Sequence, residues 1–469
     1  MTEESKGSKA LLWLVACGFF MQTLDGTIVN TALPAIAKNL DASPLRMQSV
    51  VVAYLLTMAM IIPASGWISD KFGIRQVFIG ALSLFALGSL FCALSQNLTQ
   101  LVLSRILQGV GGALLLPVGR LALLRSVSPE QFLQAISFVA IPGLIGPLVG
   151  PVLGGWLVET ASWHWIFLIN LPVGLIGIVA ASIYMKGNPI QNSAVFDLKG
   201  YLLLAFGMVT FSLALDAGSS LGLQKAGVIL LTIFGLASIA AYWIHAARTS
   251  APLFSPRIFS IPTLSIGLLG NLFSRLGSSS MPFLVPLFLQ VNMGYPPFKA
   301  GLMLLPMAIA GIGIKRFAPL LIYKLGYRKV LVTNTLLIGL SMSSFFWLNS
   351  SEIWWIFSFQ LFCFGAFNSF QFTAMNTLTL KDLTGEFTSS GNTMLSMIQM
   401  LAMGMGVACA AGALEAFRDL FGQDPENMLL AFRSTFACMG IITLSSSFIF
   451  WQIKKEDGRS AVLKDSVLD

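Results

Sequence analysis

The stretch LLWLVACGFFMQTLDGTIVNTAL, residues 11–33, carries a single charged side chain, Asp25. As helix, at 1.5 Å per residue, it is about 35 Å long, enough to cross a hydrocarbon core about 30 Å thick. Its apolar residues do not alternate with polar ones, as the strands of a membrane barrel would. In lipid the backbone must satisfy its own polar groups, so the run is read as a membrane-spanning helix.

Runs of this kind fill the chain. Of 469 residues 56% are hydrophobic and only 10% charged, and the mean hydropathy is +0.80, whereas soluble domains carry about 25% charged residues. The chain is therefore an integral membrane protein. Fourteen spans are predicted, at 11–33, 47–67, 76–95, 100–121, 132–157, 165–185, 199–217, 226–246, 263–290, 299–321, 328–348, 353–376, 388–414 and 430–452. A signal-peptide reading of the first run, with Ala35-Ile36-Ala37 as cleavage site, is set aside because the run is too long for a signal core and contains Asp25.

The net charge of +8 would suggest nucleic acid in a soluble chain; here its distribution decides. With the N-terminus inside, twenty of the 28 Lys and Arg fall in inside segments and five outside. The excess of cations in cytoplasmic loops puts both termini in the cytoplasm. The five cysteines, at 17, 92, 363, 409 and 438, all lie in predicted spans without CxxC spacing. Neither a disulfide framework nor a zinc site is implied. No P-loop, G-x-S-x-G or H-E-x-x-H motif occurs, and there are two histidines, His164 and His245. ATP binding of the P-loop kind and hydrolase chemistry therefore have no visible machinery, and the chain is not read as an enzyme.

KFGIRQ, Lys71 to Gln76, recurs as KLGYRK, Lys324 to Lys329, 253 residues later. If these are one loop in two related halves, spans one to six and nine to fourteen form the halves and spans seven and eight are inserted between them. A chance match of two short basic loops is the alternative. The expected segments are a cytoplasmic N-terminus 1–10, a six-helix bundle 11–185, a two-helix insertion with its loops 186–262, a second six-helix bundle 263–452 and a cytoplasmic tail 453–469. The polar loops 186–199, 247–262 and 415–427 are too short to be domains.

Polar residues inside spans carry what chemistry there is. Asp25 lies about 21 Å along span one from its cytoplasmic start. A carboxylate at that depth costs about 3 kcal/mol on insertion scales, so such groups face a cavity or partner and mark ion paths. Asp25 is either a proton-exchanging group or a structural acid satisfied by Thr27, Asn30 or a neighbouring helix. Arg105 in LVLSRILQGVGGA, residues 101–113, stays charged when buried and needs acceptors such as carbonyls, Gln108 or a carboxylate. The alternative is outward snorkelling. Arg275 in NLFSRLGSSSMP is the isolated cation of the second half, lining a cavity or anchoring helices. Together with Gln22, Asn30, Gln108, Asn271 and Asn376 it is a candidate for the substrate cavity.

In PGLIGPLVGPVLGG, residues 142–155, glycines 143, 146, 150 and 154 make one smooth helix face for close packing. Pro147 and Pro151 remove backbone hydrogen bonds and allow bending. In GWISDKFGIR, residues 66–75, Asp70, Lys71 and Arg75 can build a cytoplasmic charge network that opens and closes, or a solvated loop.

These stretches resemble a known family. GWISDKFGIR, with Gly66, Asp70, Lys71, Gly73 and Arg75, resembles the loop signature after span two of the major facilitator superfamily. LVLSRILQGVGGA resembles its span-four signature, and GPLVGPVLGG the span-five signature of its antiporters. LDGTIVNTALP and WHWIFLINLPVG are similar to motifs of the fourteen-span drug:proton antiporter branch, and FDLKG and SSGNTMLSMIQ extend the likeness along the chain. The resemblance implies a fold of two six-helix halves plus two central helices. It implies proton coupling by Asp25 and relay by Arg105. To Gly146, Pro147, Gly150, Pro151, Gly154 and Gly155 it gives the interface that favours exchange, and to Gly66, Asp70, Lys71, Gly73 and Arg75 conformational switching. The second loop copy departs, with Pro319 and Tyr323 where the first has Gly66 and Asp70. His164 and Ser137 also replace the branch's usual Arg and Gly.

The function expected is proton-driven export of small organic, amphipathic or cationic compounds by alternating access, of the multidrug-efflux type. The expected setting is the bacterial inner membrane, with the lipid bilayer, protons and a small molecule as the partners of a monomer. No cofactor, metal, ATP or nucleic acid enters. Export of one endogenous metabolite, or a membrane sensor without turnover, are the alternatives.

Overall fold

The computed structural model describes residues 3–126, 129–185, 195–216, 225–347, 354–385, 387–422 and 424–454. The tail after residue 454, loop residues 186–194 and the side chains of Lys6, Lys9, Ser137 and Lys225 lie outside the described residues. Helices α1 (Glu3–Asn39), α2 (Gln48–Ile61), α3 (Ser65–Phe72), α4 (Ile74–Ala93), α5 (Leu98–Ser126), α6 (Pro129–Thr160), α7 (Trp165–Leu168) and α8 (Asn170–Tyr184) come first. Then come α9 (Leu198–Asp216), α10 (Lys225–Arg248), α11 (Pro262–Ser278), α12 (Met281–Leu287), α13 (Pro297–Met303), α14 (Leu305–Gly313) and α15 (Ala318–Leu325). The last are α16 (Tyr327–Ser343), α17 (Trp354–Leu380), α18 (Phe387–Phe421), α19 (Pro425–Ser445) and α20 (Ser447–Trp451). No strand occurs among the described residues.

Thirteen helical stretches are long and apolar enough to span a membrane. The expected span at 353–376 is present as α17, a 27-residue helix, but Gln360, Asn368, Ser369, Gln371, Thr373 and Asn376 keep it out of those thirteen. Some of that polarity points inward: Gln371 is buried and donates to Thr335 Oγ1 at 2.6 Å. The expected span 263–290 is broken after Ser278 and ends in a π-helical turn, Phe288–Asn292, while 299–321 is divided among α13, α14, a 3-10 turn and α15. Pro286, Pro306 and Pro319 lie in these segments, and a missing N–H at each removes a helical bond. Ala35 to Ala37 lie inside α1, with Ile36 and Ala37 fully buried.

The chain forms two compact units, residues 1–253 with 285–302 and residues 254–284 with 303–469. In the first, α1 packs along α6, α5 is gripped between α2 and α4, α4 meets α8, and α9 pairs with α10. Lipid tails are as apolar as these side chains, so close packing rather than water exclusion holds such helices together. The glycine face of α6 shows how: a Cβ on Gly146 would strike Thr23, one on Gly150 would strike Thr27, and one on Gly154 would stand 2.6 Å from the Ile28 carbonyl oxygen. The same helix abuts α13, where a Cβ on Gly155 would strike the Pro297 carbonyl. On α10, Ile229, Leu230, Ile233 and Phe234 stay exposed, as a lipid-facing surface requires.

In the second unit α11 touches α17, α18 and α19, and α16 runs against α17 and α19. One core of this unit gathers Tyr327, Val330, Leu331, Phe370, Leu378 and Phe450. The two loop copies share one backbone device. Gly73 joins α3 to α4 at φ +85°, ψ 138°, and Gly326 joins α15 to α16 at φ +76°, ψ 156°. Only glycine takes that conformation without strain, so the echo of KFGIRQ in KLGYRK is an echo of conformation.

Candidate functional site

The first unit's site is built where α1, α4, α5 and α8 meet. Asp25 and Arg105 are buried, at 0% and 1% exposure, and their Oδ2 and Nη1 atoms are 2.6 Å apart. Gln108 bridges the pair, accepting from Arg105 Nη1 at 2.6 Å and donating to Asp25 Oδ1 at 2.7 Å. Asn170 Nδ2 donates to the same Oδ1 at 3.2 Å. Ser89 Oγ stands behind both amides, 2.8 Å from Gln108 Nε2 and 3.3 Å from Asn170 Nδ2. Arg105 also donates through Nε to the Val50 carbonyl at 3.4 Å, and its guanidinium lies 4.1 Å from the Tyr54 ring centroid.

The Asp25 carboxylate meets three donors, two neutral and one charged, which is the arrangement a carboxylate needs to keep its charge away from water. The site is thus a closed polar cluster around the Asp25–Arg105 pair.

Gly88 and the glycines of GVGGA, residues 109–113, position it. A Cβ on Gly88 of α4 would come within 2.5 Å of the Gln108 backbone, so α4 and α5 touch there and Ser89 reaches Gln108. A Cβ on Gly109 would stand 2.9 Å from Thr57, and one on Gly112 would be 2.8 Å from the Tyr54 hydroxyl. Without these small residues α2 could not bring Tyr54 over Arg105.

Of the sequence candidates, Asp25, Arg105 and Gln108 come together. Of the alternative partners, neighbouring helices do bond to Asp25, through Gln108 and Asn170, but Thr27 bonds to the Thr23 and Leu24 carbonyls and reaches the Gly146 carbonyl at 3.5 Å. Gln22 and Asn30 lie a turn to either side of Gly26 on α1. Their Oε1 and Oδ1 atoms are buried without a partner, and a Cβ on Gly26 would meet nothing within 4 Å. Both carbonyls are open acceptors. Arg105 does not snorkel; it turns inward to Asp25. Ser89, Tyr54 and Asn170 were missed by sequence reasoning, although Asn170 stands in the quoted WHWIFLINLPVG.

In the second unit Asn271, Arg275 and Asn376 come together with Gln399, a further residue missed in the sequence. Asn271 Oδ1 accepts from Arg275 Nε and from Gln399 Nε2, each at 3.3 Å, and Gln399 donates to Asn376 Oδ1 at 2.6 Å. The Arg275 guanidinium lies 4.6 Å from the Phe372 ring centroid. Its Nη2 is buried without an acceptor, and no carboxylate pairs with it among the described residues.

At the loop, Asp70 pairs with Arg125 at 3.0 Å, both partly exposed, rather than with Lys71 or Arg75. Lys71 Nζ sits 4.5 Å over the Trp67 ring, and Arg75 donates to the Ser182 carbonyl. A Cβ on Gly66 would meet nothing within 4 Å, so close packing does not explain that glycine. Nearby, outside the spans, burial alone would raise the pKa of Asp197. Hydrogen bonds from His245 and from the Gly200 and Leu253 N–H groups outweigh it and hold the carboxyl below its usual range. Burial lowers the pKa of His164.

Residues 15–407 match the Major Facilitator Superfamily. The chain belongs to that superfamily. It is 47% identical over 464 residues to MdtD of Salmonella typhi, provisionally designated a multidrug resistance protein, covering 99% of this chain and 98% of that one. MdtD of Salmonella enteritidis PT4 matches with the same figures. Among solved structures, the peptide transporter POT in complex with sulfate aligns with a TM-score of 0.71 at 15% identity, over 98% of this chain and 99% of that one. The human organic anion transporter MFSD10 aligns at 0.61 and 14% identity, over 96% and 100%. At those identities the likeness is one of fold. The chain is a multi-pass membrane protein with the architecture of a superfamily transporter, which is not an enzyme class.

Proposed function

We propose that this superfamily member is a proton-coupled exporter that exchanges small organic, amphipathic or cationic compounds for incoming protons by alternating access. The observation that carries the proposal is the buried Asp25–Arg105 pair bridged by Gln108. A charge in the apolar layer is costly unless compensated, and Arg105 compensates Asp25 only while the acid is ionised. Protonation from the outer side removes one charge of the pair, and Arg105 keeps Gln108, the Val50 carbonyl and the Tyr54 face. The helices α1 and α5 are then released from a charged bond, and the bundle reopens inward, where the proton leaves and the pair re-forms. The designation of the MdtD relatives supports multidrug-type cargo, and the open carbonyls of Gln22 and Asn30 suit a cargo that donates hydrogen bonds. The setting is the bacterial inner membrane with both termini cytoplasmic, following the cation distribution. The proton gradient is the energy source, without a cofactor or nucleotide, and the monomer is the working unit.

The test is efflux of ethidium from proteoliposomes under an imposed pH gradient, with internal pH read at the same time. Asp25→Asn is expected to abolish gradient-driven movement of both dye and protons while the protein still inserts and purifies normally. Undiminished proton-driven efflux by that variant would overturn the proposal.

A further inference from the structure

The stretch FDLKG, Phe196 to Gly200, takes no part in the site above, yet beyond its local contacts it reaches α3, α10 and the Leu253 backbone. Phe196 stacks on Trp67 of α3, ring centroids 4.7 Å apart and planes at 30°. Trp67 belongs to GWISDKFGIR and also carries Lys71 at 4.5 Å over its ring. Asp197 is only 5% exposed. Its Oδ1 accepts from the Gly200 N–H at 2.9 Å, capping α9, and stands 2.8 Å from His245 Nε2 near the end of α10. Its Oδ2 accepts from the Leu253 N–H at 3.2 Å, and Leu253 is the last residue before the second unit begins at Phe254. Gly200 is required here, because a Cβ would strike the carboxylate oxygen that reaches Leu253.

The inserted helices are joined to each other as well. Ser238 of α10 donates to the Leu203 carbonyl of α9 at 2.7 Å. Gly207 and Gly235 let the two helices close on Ile239 and Thr210. The pair is therefore one body, and among the described aromatic contacts it meets α3 at the Phe196–Trp67 face.

We propose that Phe196 and Asp197 are positioning residues for transport: they make α9–α10 a strap on the switch helix α3. The proposal rests on the transport reading above. The other ties of that loop, Asp70 to Arg125 and Arg75 to the Ser182 carbonyl, go to helices of the first six. Only the Trp67–Phe196 face ties it to the insertion among the aromatic contacts described. If α3 shifts during the cycle, Trp67 either slides across Phe196 or carries the strap with it, so the strap sets how fast the loop changes state. A carboxylate with three donors from three segments fixes Phe196 in place more narrowly than apolar packing would, since each bond has a defined direction.

Two readouts test this. The first is ethidium efflux from proteoliposomes; the second, which needs no substrate, is the rate at which a membrane-impermeant maleimide labels Gln76→Cys in a cysteine-depleted background at outer pH 6 and 8. Phe196→Ala is expected to change the maximal efflux rate by about fivefold with KM within about twofold, the split that marks a step other than binding. It should change the labelling rate in parallel. Phe196→Trp, which keeps the stacked face, should restore both. Asp197→Asn should reproduce the effect, and the double variant Phe196→Ala/Asp197→Asn should be no worse than either alone, because both cut one device. Unchanged rate and labelling in Phe196→Ala, or failure of Phe196→Trp to restore them, would overturn the strap. If Asp25→Asn pumps normally while Phe196→Ala still alters labelling, the antiport reading has failed and the strap has not.

Discussion

Asp25 holds its place in the membrane through three donors, and the neutral ones come from helices that the sequence does not connect to it. Hydrogen bonds to a charged group are worth about 1.5–3 kcal/mol each. Asn170→Leu, which removes the bond at 3.2 Å, is therefore expected to slow proton-driven efflux about tenfold while leaving KM for the dye unchanged, since Asn170 touches the acid. Parallel flux and internal-pH traces on the variant check it; a change confined to KM would place Asn170 in the cargo cavity instead. Asp25 and Arg105 were legible because a charge in an apolar run is conspicuous and needs an explanation, and Gln108 because it stands three residues from Arg105 as an acceptor for it. Ser89, Tyr54 and Asn170 were not, because a neutral polar side chain in a membrane helix is common and can be satisfied by its own backbone. Ser89 illustrates this, since its hydroxyl also donates to the Phe85 carbonyl one turn back.

At the scale of the element, the spacing of small residues was readable and its target was not. Glycines at 146, 150 and 154 announce a smooth face, and the structure assigns that face to Thr23, Thr27 and Ile28 of α1. Gly150→Leu would force α1 and α6 apart; overpacking of this kind costs about 1–3 kcal/mol, which is expected to appear as a lower unfolding temperature in detergent and slower efflux. A variant as stable as the parent would mean the contact is not close in the membrane. Gly73→Ala tests a different cause, since φ is +85° and ψ 138° there and a side chain in that region costs about 1–3 kcal/mol, which is expected to appear as a lower unfolding temperature in detergent. α17 shows the converse limit. Its amides lowered the hydropathy of a helix whose length and place the sequence reading had found, because hydropathy averages over a window and cannot distinguish an amide turned to lipid from one turned to a neighbour.

For the whole molecule, the charge balance and the internal echo were the informative signals. The echo proved conformational in Gly73 and Gly326, but the chain groups by contact into units in which residues 285–302 join the first, which no loop motif marks. The inserted pair α9–α10 belongs to the first unit, held at its start by Asp197. Because that carboxyl's pKa is depressed, its contribution to stability is complete above its unfolded value of 3.8 and is lost as pH falls through the lower folded value. The wild type is therefore expected to keep its stability advantage over Asp197→Asn from pH 7 down to about 4 and to lose it below. Unfolding temperatures of the two proteins across that range check the sign; an advantage that vanishes well above pH 4 would show that Asp197 is not the group responsible.

The sequence alone determined that this is a helical membrane protein, roughly where its spans lie and which charges are costly inside them. Those properties are local: a run of apolar residues has one stable form in lipid, and a charge within it is costly until it finds a partner. Which groups meet was decided by tertiary structure. Asp25 takes its charged donor from 80 residues away and a neutral one from 145 residues away, and pairings over such distances arise only when glycines on several helices let the backbones close together.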